Sequence, residues 1–303
     1  MIVGDLSPGD LAHRLAGDGL RLRTGPLLNC IQTGLDRVVQ GIARHYRDHT
    51  VEDSGTFADF QVRVTHPPSL RRWLKQQVVF QFDAARPFKP LPADQAFPML
   101  EWGLNWCVSA HCHQYLMVHA AVVERHGAAL VLPGPPGSGK STLCAGLVTR
   151  GWRLLSDELT LFEIPSGNIV PLPRPVSLKN ASIEVMRRFA PGATIGPPVH
   201  DTVKGSVAHM SPPVESVRRA SEIARLRWIV LPRYERDAAP QLVPLSKALG
   251  FMHLADNAFN YDVHGRRGFE LLAQVIDGSE CFEFCYGSLE DAITVFDDAA
   301  RRG

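Results

Sequence analysis

Residues Gly134 to Ser141 read GPPGSGKS and satisfy the phosphate-loop pattern GxxxxGK[ST] without deviation. Glycines in such a loop take positive φ and let backbone N–H groups face a phosphate with no side chain in the way. A helix beginning near Gly139 adds the positive end of its dipole. Lys140 is placed to neutralise the β- and γ-phosphates, and Ser141 or Thr142 to offer a hydroxyl to Mg²⁺. The expected cradle is therefore Gly134, Pro135, Pro136, Gly137, Ser138, Gly139, Lys140, Ser141 and Thr142. A bare glycine-proline hairpin turn is the alternative. The flanks argue against it, because a buried-strand pattern precedes the loop and an amphipathic helix follows.

A second chemical feature arrives 17 residues after Lys140, the acidic pair Asp157-Glu158 at the end of GWRLLSDE. That spacing fits one helix and one adjacent strand, which returns the carboxylates to the sheet edge where phosphates sit. One carboxylate suits Mg²⁺ and its neighbour suits the proton of an attacking hydroxyl, with the division of roles open. In isolation the same pair merely solvates a turn. No NKxD-type base reader accompanies the loop, which argues against a GTPase.

The elements that must position these groups are readable from the pattern. MVHAAVVER and AALVLPG are aliphatic runs separated by a His-Gly turn, and STLCAGLVTRG is a helix that stops at Gly151. WRLLSDE and LTLFEIPSGNIVPLP continue as strands. Further on, ARLRWIVLPRY and CFEFCYG read as strands, and SKALGFMHLADNAF, GFELLAQVID and SLEDAITVFDDAARR as helices. Residues 191–221, rich in Pro, Gly and polar types, read as a long loop. Upstream, Ser7-Pro8 starts a helix carrying Leu11, Leu15 and Leu20, and residues 57–64 and 77–83 alternate as half-buried strands. The proline-rich stretch 85–98 should cross the surface, and 99–116 should form a mostly buried helix. The expected organisation is an α+β region over 1–98 followed by a catalytic α/β domain over 99–303. In CVSAHCH, Cys107 and His111 share a helical face, but no second zinc-like cluster follows, so a buried helix is the better reading.

With 303 residues, 45% hydrophobic and 21% charged, the chain has the balance of a globular protein with a full core. A net charge of +1 gives no global case for nucleic acid or anionic membrane, so any anion site must be local. No apolar run approaches the ~20 residues of a membrane span and no signal peptide opens the chain, making the cytoplasm the expected compartment. Six cysteines without a CxxC pair read as reduced thiols.

Residues 117–163, MVHAAVVERHGAALVLPGPPGSGKSTLCAGLVTRGWRLLSDELTLFE, resemble the catalytic core of the HPr kinase/phosphorylase family. EWGLNWC, LMVHAAVVE, PRPVSLKN and YGSLEDAI resemble its HPr kinase-related kinase group, within the phosphate-loop superfamily shared with phosphoenolpyruvate carboxykinase. The close likeness covers roughly residues 100–180. Residues 1–98 do not resemble the N-terminal domain of true HPr kinases. The resemblance implies a core of mixed sheet with helices, ATP and Mg²⁺ at Lys140 and Ser141, and His119 near the γ-phosphate. It divides metal binding and base catalysis between Asp157 and Glu158, although the family more often has two aspartates there. It also suggests homo-oligomers.

Beside these, Arg174 and Lys179 in PRPVSLKN are cations that either stabilise the transferring phosphoryl group, bind an anionic substrate, or stay solvated. Lys204 and His209 in VKGSVAH read as part of a loop closing over the site, and VHGRRG (263–268) as an anion or capping turn. The expected activity is ATP-dependent transfer to a hydroxyl of a protein, peptide or small molecule. A nucleotide-dependent regulatory or accessory protein is the alternative.

Overall fold

The computed structural model describes residues 1–68, 76–135 and 137–302, and the fold is mixed α/β. Its first sheet has the order β3-β1-β2-β4-β5-β6. It is built from β1 (Leu20–Thr24), β2 (Leu27–Thr33), β3 (Val51–Glu52), β4 (Phe60–Thr65), β5 (Gln77–Phe82) and β6 (Leu91–Pro92). Helices α1 (Pro8–Ala16), α2 (Asp36–His45) and α3 (Ala96–His111) pack against it. Ser7 caps α1 by accepting from the Asp10 amide at 3.1 Å. That helix is shorter than its apolar pattern suggests: it ends at Gly17, and Leu20 opens β1 instead. Helix α3 starts before residue 99 and ends before 116, and its Leu100, Leu104, Cys107 and Val108 are buried in the core of the first sheet. The helix expected to open the second region thus packs on the first.

The remaining elements are β7 (Tyr115–Val118), β8 (Ala120–Arg125), β9 (Ala128–Pro133), α4 (Lys140–Thr149), β10 (Arg153–Ser156), β11 (Thr160–Glu163), β12 (Ile169–Val170), β13 (Val176–Lys179) and α5 (Ala181–Phe189). They continue with β14 (Val199–Thr202), β15 (Gly205–Met210), α6 (Val214–Arg218), β16 (Arg225–Tyr234), β17 (Gln241–Pro244), α7 (Lys247–Asp256), α8 (Tyr261–His264), α9 (Arg266–Asp277), β18 (Glu280–Tyr286) and α10 (Leu289–Arg302). The main sheet runs β10-β8-β9-β16-β18-β17, with β9, β16 and β18 parallel and the outer pairs antiparallel. Strands β8, β9 and β10 are buried on both faces, which explains the unbroken aliphatic runs of β8 and β9, whereas β17 is an exposed edge. Ala121, Val123, Leu130 and Leu132 pack with α4, α5 and α10, while Ala120, Val122, Ala129 and Val131 face α7 and α9. The β8–β9 turn has positive φ at both His126 and Gly127, as a tight two-residue hairpin needs.

Residues 191–221 are not a long loop. They contain the β14–β15 hairpin and α6, and β15 is the centre of a small sheet ordered β13-β15-β14. Small and polar residues mask the strand alternation there, and Thr202 closes the turn by donating to the Gly205 carbonyl at 2.7 Å. Among the described residues, no helix is long and apolar enough to cross a membrane.

Candidate functional site

Strand β9 runs directly into the phosphate-loop sequence, and α4 begins at Lys140. Gly139 precedes the helix in the left-handed region (φ 97), where a Cβ would lie 2.7 Å from the Tyr286 hydroxyl. Neighbouring strands hold the loop from behind. The Tyr234 amide at the end of β16 donates to the Ser138 carbonyl at 3.2 Å, and the Tyr286 hydroxyl at the end of β18 donates to the Gly139 carbonyl at 3.3 Å. Lys140 is buried, with its ammonium donating to the carbonyls of Gly134 (2.6 Å) and Pro135 (2.9 Å). Ser141 and Thr142 occupy the first turn of α4, half-buried. Gly134 and Gly137 both have positive φ. Pro136 lies outside the described residues.

The acidic pair follows β10, which is not the immediate neighbour of β9 as its spacing suggests. The β8–β9 hairpin occupies that edge, so β8 intervenes. Because β8 is antiparallel to both, the start of β8 and the ends of β9 and β10 share one sheet edge: Ala120 pairs with Pro133, and Ser156 with Val122. His119 sits in the break between β7 and β8, its amide donating to the Asn257 carbonyl at 2.7 Å.

The two carboxylates have different surroundings. Glu158 Oε2 is 3.3 Å from His119 Nε2, and Oε1 is 3.1 Å from Lys179 Nζ. Burial opposes its ionisation, but the His119 hydrogen bond and the charges of Lys179 and Lys204 outweigh it and hold the carboxyl below its ordinary range. Asp157 moves the other way. Burial, then the charge of Glu158, raises its carboxyl, against the pull of Lys179, the Ser177 amide and the Ser141 hydroxyl. The Ser177 amide donates to Asp157 Oδ2 at 2.9 Å, whereas the buried Oδ1 has no partner among the described residues. A buried carboxylate oxygen left open beside a hydroxyl is a donor set that suits a hard divalent cation, so Ser141 and Asp157 fit Mg²⁺. Among the described residues no group of three His, Cys, Asp or Glu forms a metal cage by itself, and this includes the CVSAHCH stretch.

Burial lowers the pKa of Lys140, with Glu158 the leading opposing influence. Lys179 lies above its ordinary value because, although burial lowers it, Glu158 and Asp157 raise it further. Lys204, on the β14–β15 turn, is lowered by burial and stands 5.6 Å over the ring of Trp102. The acidic pair opens on a cleft whose far wall is α3, through Trp102 and Asn105, and whose near wall includes Ser177 and His209.

Arg174 borders this cleft with its guanidinium already engaged. It donates to Glu101 Oε2 (2.7 Å), the Glu101 carbonyl (2.9 Å), Asn105 Oδ1 (2.8 Å) and the Tyr46 hydroxyl (3.4 Å). Neither the surface position nor the free cation considered from sequence describes it: it ties the segment before β13 to α2 and α3. His264 of the VHGRRG turn reaches the Tyr115 carbonyl at 3.1 Å, and Arg266 pairs with Glu270 on its own helix. Lys140, Ser141, His119, Asp157, Glu158 and Lys179 therefore converge, while Arg174 serves the junction. No spacing in the linear sequence links Trp102 and Asn105 to Ser177, since two separate elements, α3 and β13, bring them to the cleft. No family model matches the chain, and no curated protein matches it.

Proposed function

We propose that this chain is an ATP-dependent phosphotransferase with an HPr kinase-like core, acting on an alcohol. The observation that carries the reading is the convergence of Lys140, Glu158, His119 and Lys179 on one sheet edge, with Asp157 beside Ser141. The loop amides and Lys140 hold the phosphates and offset their charge. Ser141 and Asp157 would hold Mg²⁺, which neutralises phosphate charge when bound. Glu158, kept ionised by His119 and Lys179, is the proton acceptor. An acceptor hydroxyl attacks the γ-phosphorus, its proton passes to Glu158, and the bond to the ADP oxygen breaks. Lys179 and Lys204 bring positive charge to the same place, where a low dielectric strengthens its effect.

The test is transfer of label from γ-labelled ATP to hydroxylated metabolites and candidate proteins, comparing the wild type with Glu158→Gln. Transfer should fall by about 10²–10⁴-fold in the variant, the range for loss of a positioned acid or base, with nucleotide still bound. Bound ATP with no transfer to any acceptor would instead support a regulatory nucleotide-binding role.

A further inference from the structure

Phosphate transfer at the acidic pair fixes only one end of a nucleotide on the loop. Where the other end lies follows from the sheet order. The strands run β10-β8-β9-β16-β18-β17, so the acidic pair lies on one flank of β9, and β16 and β18 lie on the other. A triphosphate on Gly134–Ser141 with its γ-phosphate toward Asp157 and Glu158 is an extended chain. Its nucleoside therefore leaves the loop toward β16 and β18, which run parallel to β9 and finish at the same sheet edge.

Tyr234 ends β16 at that edge, in register with Tyr286 of β18. Its backbone is fastened to the loop. The amide donates to the Ser138 carbonyl at 3.2 Å, and its Cβ lies 3.3 Å from where a Cβ on Gly139 would stand. Its ring meets the buried Tyr286 ring edge-on, with centroids 5.7 Å apart and planes at 70°. Tyr286 is anchored in turn by the hydrogen bond its hydroxyl donates to the Gly139 carbonyl. Tyr234 is nevertheless 53% exposed. One exposed aromatic side chain is ordinary on a protein surface. An aromatic fastened to a phosphate loop, on the flank opposite the acidic pair, is in the path of a nucleoside.

The geometry points to Tyr234 as the platform on which the base of the bound nucleotide stacks. The inference deepens the phosphotransferase reading and rests on its phosphate-loop assignment. An aromatic ring holds a base by its π-face and does not need to read the base edge. That suits a chain without an NKxD-type base reader. The ring is also set before the ligand arrives, by the Ser138 hydrogen bond and the edge-on Tyr286 contact, so binding orders little. Tyr286 supports the loop from behind, and Tyr234 offers its open surface to the ligand.

The experiment titrates Mg-ATP and Mg-tripolyphosphate, which lacks the nucleoside, into the full chain by calorimetry. Wild type, Tyr234→Ala and Tyr234→Phe are compared. Alanine keeps the amide that holds Ser138 and the Cβ beside Gly139, so the change removes the ring alone. Tyr234→Ala should weaken ATP binding about 5- to 150-fold, the range for loss of one base–aromatic stack. Its affinity for tripolyphosphate should not change, and Tyr234→Phe should bind both ligands as the wild type does. Unchanged ATP affinity in Tyr234→Ala, equal weakening of both ligands, or an equal loss of ATP binding in the two variants would overturn the inference. Should tripolyphosphate bind the wild type too weakly to saturate, the ATP contrast between the phenylalanine and alanine variants decides alone. A wild type that takes tripolyphosphate but not ATP would keep the phosphate site and overturn the base platform. One that binds neither ligand fails the phosphotransferase reading first.

Discussion

Two buried charge clusters face each other across the cleft, and they are finished to different degrees. On the α3 side, Arg174, Glu101, Asn105 and Tyr46 saturate one another, with four hydrogen bonds from a single guanidinium. On the sheet side, Lys140 and Asp157 are buried but Glu158, Lys179 and His119 are partly open, and among the described residues Asp157 Oδ1, Ser177 Oγ and His209 Nε2 are unpaired. A cluster that satisfies itself holds elements together. One that keeps buried atoms open gives up stability, which under the proposed function a bound nucleotide and its cation would restore at Asp157. Arginine type alone does not distinguish the two, and the partner inventory does.

The sharpest way to break the comparison is at Arg174. Arg174→Met leaves Glu101 charged and uncompensated, and should lower unfolding free energy by about 3–5 kcal/mol. In denaturant titrations the double variant Glu101→Leu with Arg174→Met should recover much of that loss. A single variant as stable as wild type would mean that the junction does not depend on this pair.

A smaller effect is expected from pH at the same junction. His45 Nδ1 lies 3.0 Å from the Ser211 hydroxyl, and His49 Nε2 lies 2.9 Å from the Pro173 carbonyl. Burial is the leading cause that lowers both rings from an ordinary 6.5, to about 3 for His45 and about 4 for His49. Each is therefore neutral in the fold. Their contribution is complete above 6.5 and is lost as pH falls through the interval down to those values. Protonating His49 would also bury an N–H at Nδ1 that has no partner. Thermal midpoints measured from pH 7 to pH 4 should fall, and His49→Gln should flatten the slope.

The smallest effect has the opposite sign. Asp157 is raised above its ordinary 3.8, so its ionised form destabilises the fold increasingly as pH rises through that raised value. Asp157→Asn should therefore melt no lower than wild type at pH 8 without nucleotide, and should lose the added stability expected of wild type with Mg-ATP under the proposed function. A lower melting point would show that Asp157 belongs to the satisfied, structural class.

The convergence of the phosphate-loop sequence with the acidic pair was legible because its parts are local: a glycine loop, its lysine and hydroxyl, and an acidic pair one helix and one strand later. His119 came through resemblance to the HPr kinase family, and its place beside Glu158 follows from β8 running back to the same edge. The far side of the cleft was hidden. Ser177, His209 and Trp102 come from β13, β15 and α3, and only pairing register and the packing of α3 on the first sheet bring them together. Arg174 was visible as a cation, but the Glu101 that claims it lies 73 residues away. The hairpin within 191–221 was missed because Gly205, Ser206 and Ala208 blur the alternation that marks a strand.

The most direct measurement is calorimetric titration of Mg-ATP into the wild type and into Lys140→Ala. Saturable binding in the wild type, weakened on the order of a hundredfold or more by loss of the ammonium, is the predicted result. Equal affinity in the two proteins, or no binding to either, would contradict the assignment of Gly134–Ser141 as the phosphate site.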